Sequence, residues 1–305
     1  MTARVLETVP NLSEGRDPAF VAALVEAMRD AGADVLDSTA DGDHNRCVVT
    51  AVGTPTAAED AAVAAAHLAL ERIDLRRHRG VHPRIGALDV VPFVPLVGLT
   101  MADACDSARR VAGRIAREVG LPVFLYGHAS DPPGRRLSDL RRGGFEAMVG
   151  RWPADRQPDV LPADWALPGT HPSAGAVCVG ARAVLLAWNV YVSGVPLEAL
   201  CRIAAAVRET GGGHTGVRAL ALYLEGRDQY QISMNLENAE TVSAIAVFTD
   251  IEMRVGKEGG RIDRTEVIGL APDRLLFDAA ADRLALDPQT ADRVLSRRLA
   301  RHLAG

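Results

Sequence analysis

Residues Arg76–Pro92 read R-R-H-R-G-V-H-P-R-I-G-A-L-D-V-V-P. A basic, polar turn carrying His78 and His82 runs straight into an apolar stretch that reads as a strand over Leu88–Val94. Gly80 and Pro83 keep the turn out of any regular helix. Pro83 also biases His82 toward extended or turn backbone. Because the turn separates a helical pattern from a strand, it sets the count of elements on both sides.

Upstream, Val5–Pro10 is a short apolar strand, and Asp17-Pro18 is an N-cap followed by proline at the first helical position. That helix runs to Asp30 and Gly32 stops it. Strands follow at Asp34–Ser38 and Arg46–Gly53, around a polar turn, and Thr54-Pro55 starts a second helix that ends near Ile73. With Leu88–Val94 the order is β-α-β-β-α-β, a ferredoxin-like unit. Downstream come a helix over Met101–Val119, a strand over Pro122–Tyr126, and an aperiodic connection over 130–172 with a helical piece near Leu137–Arg142. Connections this long are often functional or mobile. Ala181–Val192 then reads as one apolar strand, Pro196–Glu209 as a helix, and Val217–Leu224 and Tyr230–Leu236 as strands. A helix starting at Asn238 or Glu240 and ending near Val255, a strand over Arg261–Ile268 and a helical tail from Pro272 complete the chain. The β-α-β-β-α-β order has appeared twice. The expectation is an α/β (α+β) fold of two subdomains, 1–180 and 181–305, each ferredoxin-like, with a groove between them where a ligand binds.

The composition agrees. At 305 residues, with 48% hydrophobic and 24% charged, the chain can bury a core without disulfides. A net charge of −5 disfavours non-specific nucleic-acid binding. Cys47, Cys105, Cys178 and Cys201 form no C-x-x-C pair, so they read as small hydrophobes in a reducing compartment. The N-terminus lacks an apolar signal segment, and no run of about 20 apolar residues marks a membrane span. A cytoplasmic protein is expected.

Chemistry concentrates in a few places. Histidine titrates near neutrality, and Arg76, Arg77, Arg79 and Arg84 surround His78 and His82 with a field that favours anions. The H-x-x-x-H spacing suits zinc only on a helix. Gly80 and Pro83 exclude the helix, and the glutamate of H-E-x-x-H is missing, so no metal is expected. Taken alone, both histidines read equally well as solvated loop residues. Ser38–Arg46 is polar enough to be an ordinary hairpin turn, or to turn Asn45 and Arg46 into a cleft. Asn11, Ser13 and Glu14 lie at a strand-to-helix turn whose N–H groups suit a carboxylate or simple capping. Tyr126 reads as a packing residue at a strand end. Gly211-Gly212-Gly213-His214 reads as a helix stop, and no G-x-S-x-G elbow is present.

Several stretches together resemble one family. They are V-P-N-L-S-E-G (9–15), D-H-N-R (43–46), H-R-G-V-H-P-R-I-G-A-L-D-V-V-P-F-V-P (78–95), P-V-F-L-Y-G (122–127), H-P-S-A-G-A-V-C-V-G-A-R (171–182), A-W-N-V (187–190) and Q-I-S-M-N-L (231–236). In order and spread over most of the chain, they are similar to the formiminotransferase domain of glutamate formimidoyltransferases. That domain stands alone in bacteria and is fused to a cyclodeaminase in animals.

The resemblance implies two subdomains related to the split βαβ unit, a homodimer, and a tetrahydrofolate site in the groove between them. It implies transfer of a formimino group from N-formimino-L-glutamate to N5 of tetrahydrofolate, in histidine degradation and one-carbon metabolism. The histidine of the H-P-R motif falls on His82, the expected general acid/base. The folate segment falls on Ala166, Leu167, Pro168, Gly169, Thr170, His171, Pro172, Ser173, Ala174 and Gly175. Arg46, Arg79, Arg84 and Arg182, with Asn11 and Asn45, are the candidates for holding substrate carboxylates. Two departures stand out. His128 occupies the place of the family's usual glutamate, and Trp188 replaces a tyrosine or phenylalanine. His128 keeps open a different formimino or formyl donor, such as 5-formyl-tetrahydrofolate with glutamate. A non-catalytic folate-binding paralogue is a further alternative, though His82 is retained.

Overall fold

A computed structural model of the chain describes residues 3–237, 242–273, 277–281 and 286. Arg4–Arg182 forms one compact unit and the chain from Ala183 another.

The first unit opens with β1 (Val5–Thr8) and β2 (Asn11–Leu12), two pieces of one strand path interrupted at Val9-Pro10. Helix α1 (Pro18–Asp30) begins where Asp17 accepts the Ala19 N–H, and it buries Phe20, Leu24 and Met28, four residues apart. β3 (Asp34–Asp41) and β4 (Arg46–Gly53) form a hairpin. Helix α2 (Pro55–Arg72), capped by Thr54, is buried mainly through alanines, whose small side chains let it lie close to its neighbours. Then come β5 (Leu88–Val97), α3 (Met101–Arg114) with a Thr100/Asp103 capping box, and β6 (Val123–Gly127). A single turn, α4 (Leu137–Leu140), precedes β7 (Val177–Ala181).

β5, the β1–β2 path, β4 and β3 lie side by side and antiparallel, the expected ferredoxin-like arrangement. β7 and β6 extend that sheet in parallel beyond β5. Side chains alternate across the sheet. Leu12, Cys47, Val49, Val177 and Val179 join the core under the helices. Arg46, Asn11, Cys178 and Tyr126 therefore point to the other face, where Asn11 pairs with both Val48 and Val90.

That second face is where the 130–172 connection lies. Rather than a loose loop, it is an ordered arm. Leu140 and Met148 are buried with Ile85, Val90, Phe124, Tyr126 and Cys178. Asp159 accepts the Leu125 N–H and pairs with Arg135, and Val160 bridges to Val123. The helical piece is shorter than expected and stops at Leu140.

In the second unit β8 (Leu186–Ser193), α5 (Leu197–Val207), β9 (Val217–Leu224), β10 (Gln229–Leu236), α6 (Ala244–Lys257) and β11 (Arg261–Ile268) form a sheet of order β11-β8-β10-β9, all antiparallel. This is the second ferredoxin-like unit. The expected single strand Ala181–Val192 is corrected here. It is two strands, β7 in the first sheet and β8 in the second. The run A-R-A-V-L-L carries no glycine or proline to mark the break. Helix α6 starts at Ala244, capped by Ser243. The expected starts at Asn238 and Glu240 lie outside the described residues, as does most of the tail after Pro272, of which residues 277–281 are helical. Among the described residues no helix is long and apolar enough to cross a membrane.

Candidate active site

His82 is half-buried over the second face of the first sheet. Arg46, at the start of β4, brings Nη1 to both ring nitrogens of His82, 3.0 Å from Nδ1. Its Nη2 donates to Oδ1 of Asn11, and its Nε is buried with no hydrogen-bond partner among the described residues. A guanidinium can only donate, so a ring nitrogen that accepts from it must carry a lone pair, which a neutral imidazole offers and an imidazolium does not. The electrostatics agree. Burial first, then Arg46, Arg141 and His44, hold the His82 pKa well below its ordinary value. The His44 ring stands 5.9 Å from that of His82. Arg46 is itself pulled down to about 10 by burial and by Arg141, with Asp89 opposing.

The loop bearing His82 is fastened along its length. Asn45, at φ 47°, accepts the Gly15 N–H on Oδ1 and donates from Nδ2 to the Arg79 carbonyl. His78 is buried and donates from Nε2 to the Asn45 carbonyl at 2.8 Å, so this second histidine is a structural anchor. A Cβ at Gly80 would lie 2.3 Å from the His44 carbonyl oxygen; glycine lets the loop close on the β3–β4 turn. Both ends of the loop meet the turn 171–175. The Leu75 N–H donates to the Ser173 carbonyl, the Ala87 N–H to that of Ala174, and the Ala176 N–H to that of Ile85. Ser13 closes the other side, donating from Oγ to the Gly86 carbonyl.

The expected carboxylate partners are not alike. Arg46 and Asn11 meet at His82. Asn45 is spent on holding the loop. Arg79 donates to the carbonyls of His78 and Arg76. Arg84 pairs with Glu146 at 2.9 Å, an internal carboxylate. Arg182 directly follows β7, and its charge acts on Glu7 and Tyr126. Glu14 caps, accepting the N–H groups of Arg16 and Asp17.

The expected folate segment has two parts. Ala166, Leu167 and Pro168 are exposed, while Gly169 and Thr170 are buried, with the Thr170 N–H on the Met148 carbonyl. His171, Pro172, Ser173, Ala174 and Gly175 form the turn that grips the His82 loop. Nδ1 of His171 accepts the Ala174 N–H at 3.0 Å. His128 is exposed at the end of β6, and Trp188 is buried against Phe248.

Sequence reasoning missed Arg141 and Asp89. Arg141 comes from the arm and Asp89 from the second residue of β5, and their side chains pair in the interior at 2.5 Å. Tyr126, read as packing, is fully buried beside them, and burial raises its pKa. Nothing local in the aperiodic arm marks Arg141. Asp89, a carboxylate inside the apolar run A-L-D-V-V-P, was the one available signal.

The family model described as formiminotransferase domain, N-terminal subdomain, matches residues 5–182, and that described as formiminotransferase domain matches 187–287. A glutamate formimidoyltransferase of Streptococcus pyogenes serotype M1 is 37% identical over 284 residues, covering 91% of this chain and 92% of that protein. One from Thermoplasma acidophilum is 34% identical, covering 97% of each. The formimidoyltransferase-cyclodeaminase of Gallus gallus is 36% identical over 91% of this chain, which spans 52% of that longer protein.

Proposed function

The chain belongs to the formiminotransferase family, and on that premise we infer that it transfers the formimino group of N-formimino-L-glutamate to N5 of tetrahydrofolate, with His82 moving the proton. The observation that carries the assignment of His82 is the contact of its ring with Arg46, which favours the neutral imidazole.

Bound tetrahydrofolate supplies the nucleophilic nitrogen. His82 has a lone pair ready to take the proton that the attacking nitrogen must lose. The imidazolium so formed stands among Arg46, Arg141 and His44, which make it a willing donor to the departing glutamate nitrogen. A single positioned acid–base group of this kind contributes about 10²–10⁴-fold. Arg46 suits a substrate carboxylate. It is a half-buried cation whose Nε–H is buried and spare, and none of its hydrogen bonds goes to a carboxylate among the described residues. The segment 166–175 fits a flat, polar-edged ligand such as the pterin in one respect. Thr170 Oγ1 is buried without a hydrogen-bond partner among the described residues. We further propose a cytoplasmic homodimer, which sedimentation of the purified chain tests.

Steady-state formimino transfer by the His82→Asn variant tests the proton-transfer role. Loss of turnover with retained tetrahydrofolate binding is expected, and unchanged turnover would refute it. A donor panel that includes 5-formyl-tetrahydrofolate with glutamate tests the substrate. Activity with formyl transfer alone would move the assignment to that donor.

A further inference from the structure

The arm over 130–172 delivers one guanidinium into the interior. Arg156 gathers three carbonyls of the arm, those of Asp139, Leu140 and Arg142, at 3.1, 3.0 and 2.6 Å. Those carbonyls flank Arg141, which leaves the end of α4 and is only 15% exposed in its side chain. Its Nη2 reaches Oδ2 of Asp89. Oδ1 of Asp89 accepts the backbone N–H of Ile85 at 2.8 Å. Ile85 follows His82 by three residues. Asp89 thus joins the exit of the His82 loop to the arm through its two oxygens.

We propose that Arg141 and Asp89 are positioning residues of the transfer reaction: the buried pair fixes the exit of the His82 loop and sets the balance of charge around the imidazole. The proposal rests on the reading of His82 as the acid–base group. Burial works against the Arg141 cation, and the paired Asp89 carboxylate opposes it, so Arg141 remains charged. The groups that face His82 and this pair are Arg46 and His44 from the β3–β4 side, Arg141 from the arm, Asp89 on β5, Tyr126 on β6 and Cys178 on β7. Arg141 adds positive charge beside the ring, and Asp89 offsets it. A rigid salt link buried this deep also holds backbone to within the tolerance that positioned catalysis requires.

The two residues make opposite predictions for the acid limb of kcat/KM, which reports His82 in the free enzyme. Arg141→Gln removes a cation, so the limb moves to higher pH, by on the order of one unit. Asp89→Asn, near-isosteric, leaves Arg141 uncompensated, so the limb moves to lower pH. Arg141→Lys keeps the charge, so it leaves the limb in place while kcat falls. A purely structural role lowers activity at every pH and moves no limb. Limbs of Asp89→Asn and Arg141→Gln that coincide with the wild type, or move together, overturn the proposal. Should Arg141→Gln fail to fold, the Asp89→Asn limb decides. His82→Asn is run alongside. If it retains turnover and the limb, the acid–base reading has failed. If it abolishes turnover while the other limbs stay fixed, the fault lies with the proposal for Arg141 and Asp89.

Discussion

Nη1 of Arg46 lies 3.0 Å from Nδ1 of His82, a cation set directly against the proposed base. The contact keeps the ring unprotonated and holds it in place, at the cost of making it a weaker base in the free enzyme. Replacing Arg46 with Gln keeps a donor and removes the charge. The acid limb of kcat/KM is expected to shift to higher pH, and KM for formiminoglutamate to rise if Arg46 holds one of its carboxylates. A pH–rate series at saturating tetrahydrofolate measures both. A limb that does not move would mean that the contact has no electrostatic effect on the titrating group.

The same geometry separates the free enzyme from its complex. With no substrate bound, Arg46 and Arg141 both oppose protonation of His82. A substrate carboxylate on Arg46 neutralises one of them and raises the affinity of the ring for a proton. The profile of kcat, which reports the complex, should therefore break at higher pH than that of kcat/KM, which reports the free enzyme. Superimposed breaks would place the donor carboxylates away from Arg46.

Much of this architecture is legible in the sequence. Asp17-Pro18 and Thr54-Pro55 announce α1 and α2, because caps and proline act locally. Strands β4 and β9 begin and end where apolar runs meet polar turns. The break between β7 and β8 is not legible, because Arg182 to Leu186 continues an apolar run while the chain passes from one sheet to the other. At the site, the H-P-R motif draws the eye to His82, and D-H-N-R places Arg46 near a strand start. The pairing of Arg141 with Asp89 joins residues 52 apart in sequence. No local pattern encodes such a contact. The arm that creates it is held by Arg156 on backbone carbonyls, which leaves no trace in periodicity. His78 lies close to His82 in sequence but takes a structural place, fastening the loop to Asn45.

Gly175 carries the contact between the turn 171–175 and the His82 loop. Its φ is 71°, and a Cβ there would lie 2.0 Å from the Ile85 carbonyl oxygen. Gly150 has a similar φ of 77° but open space around it. Gly150→Ala therefore costs only backbone strain, about 1 kcal/mol, and leaves turnover unchanged. Gly175→Ala adds displacement of Ile85, and with it His82. A loss of kcat on the order of 10²-fold is expected, alongside a larger fall in Tm. Equal effects of the two substitutions on kcat would show that the turn does not position the loop.

His78, His82 and His171 all have folded-state pKa values below the ordinary histidine value, each with burial as the largest cause. The sign of the consequence follows from linkage. As pH falls, the unfolded chain takes up protons at these histidines before the folded one does, so stability is lost. The loss begins near the unfolded value of about 6.5 and runs down to the folded values; above that window the three rings contribute no pH dependence. Tm should therefore be flat at neutral and mildly alkaline pH and fall between pH 7 and 5. His78 separates from the other two because it anchors the loop without being the acid–base group. His78→Gln keeps a donor for the Asn45 carbonyl and cannot titrate. Its Tm should fall less steeply over that window than the wild type's, even if its Tm at pH 7.5 is lower. Parallel slopes for the two proteins would show that His78 titrates alike in the folded and unfolded chain, and that burial of its ring does not govern the acid stability of the loop.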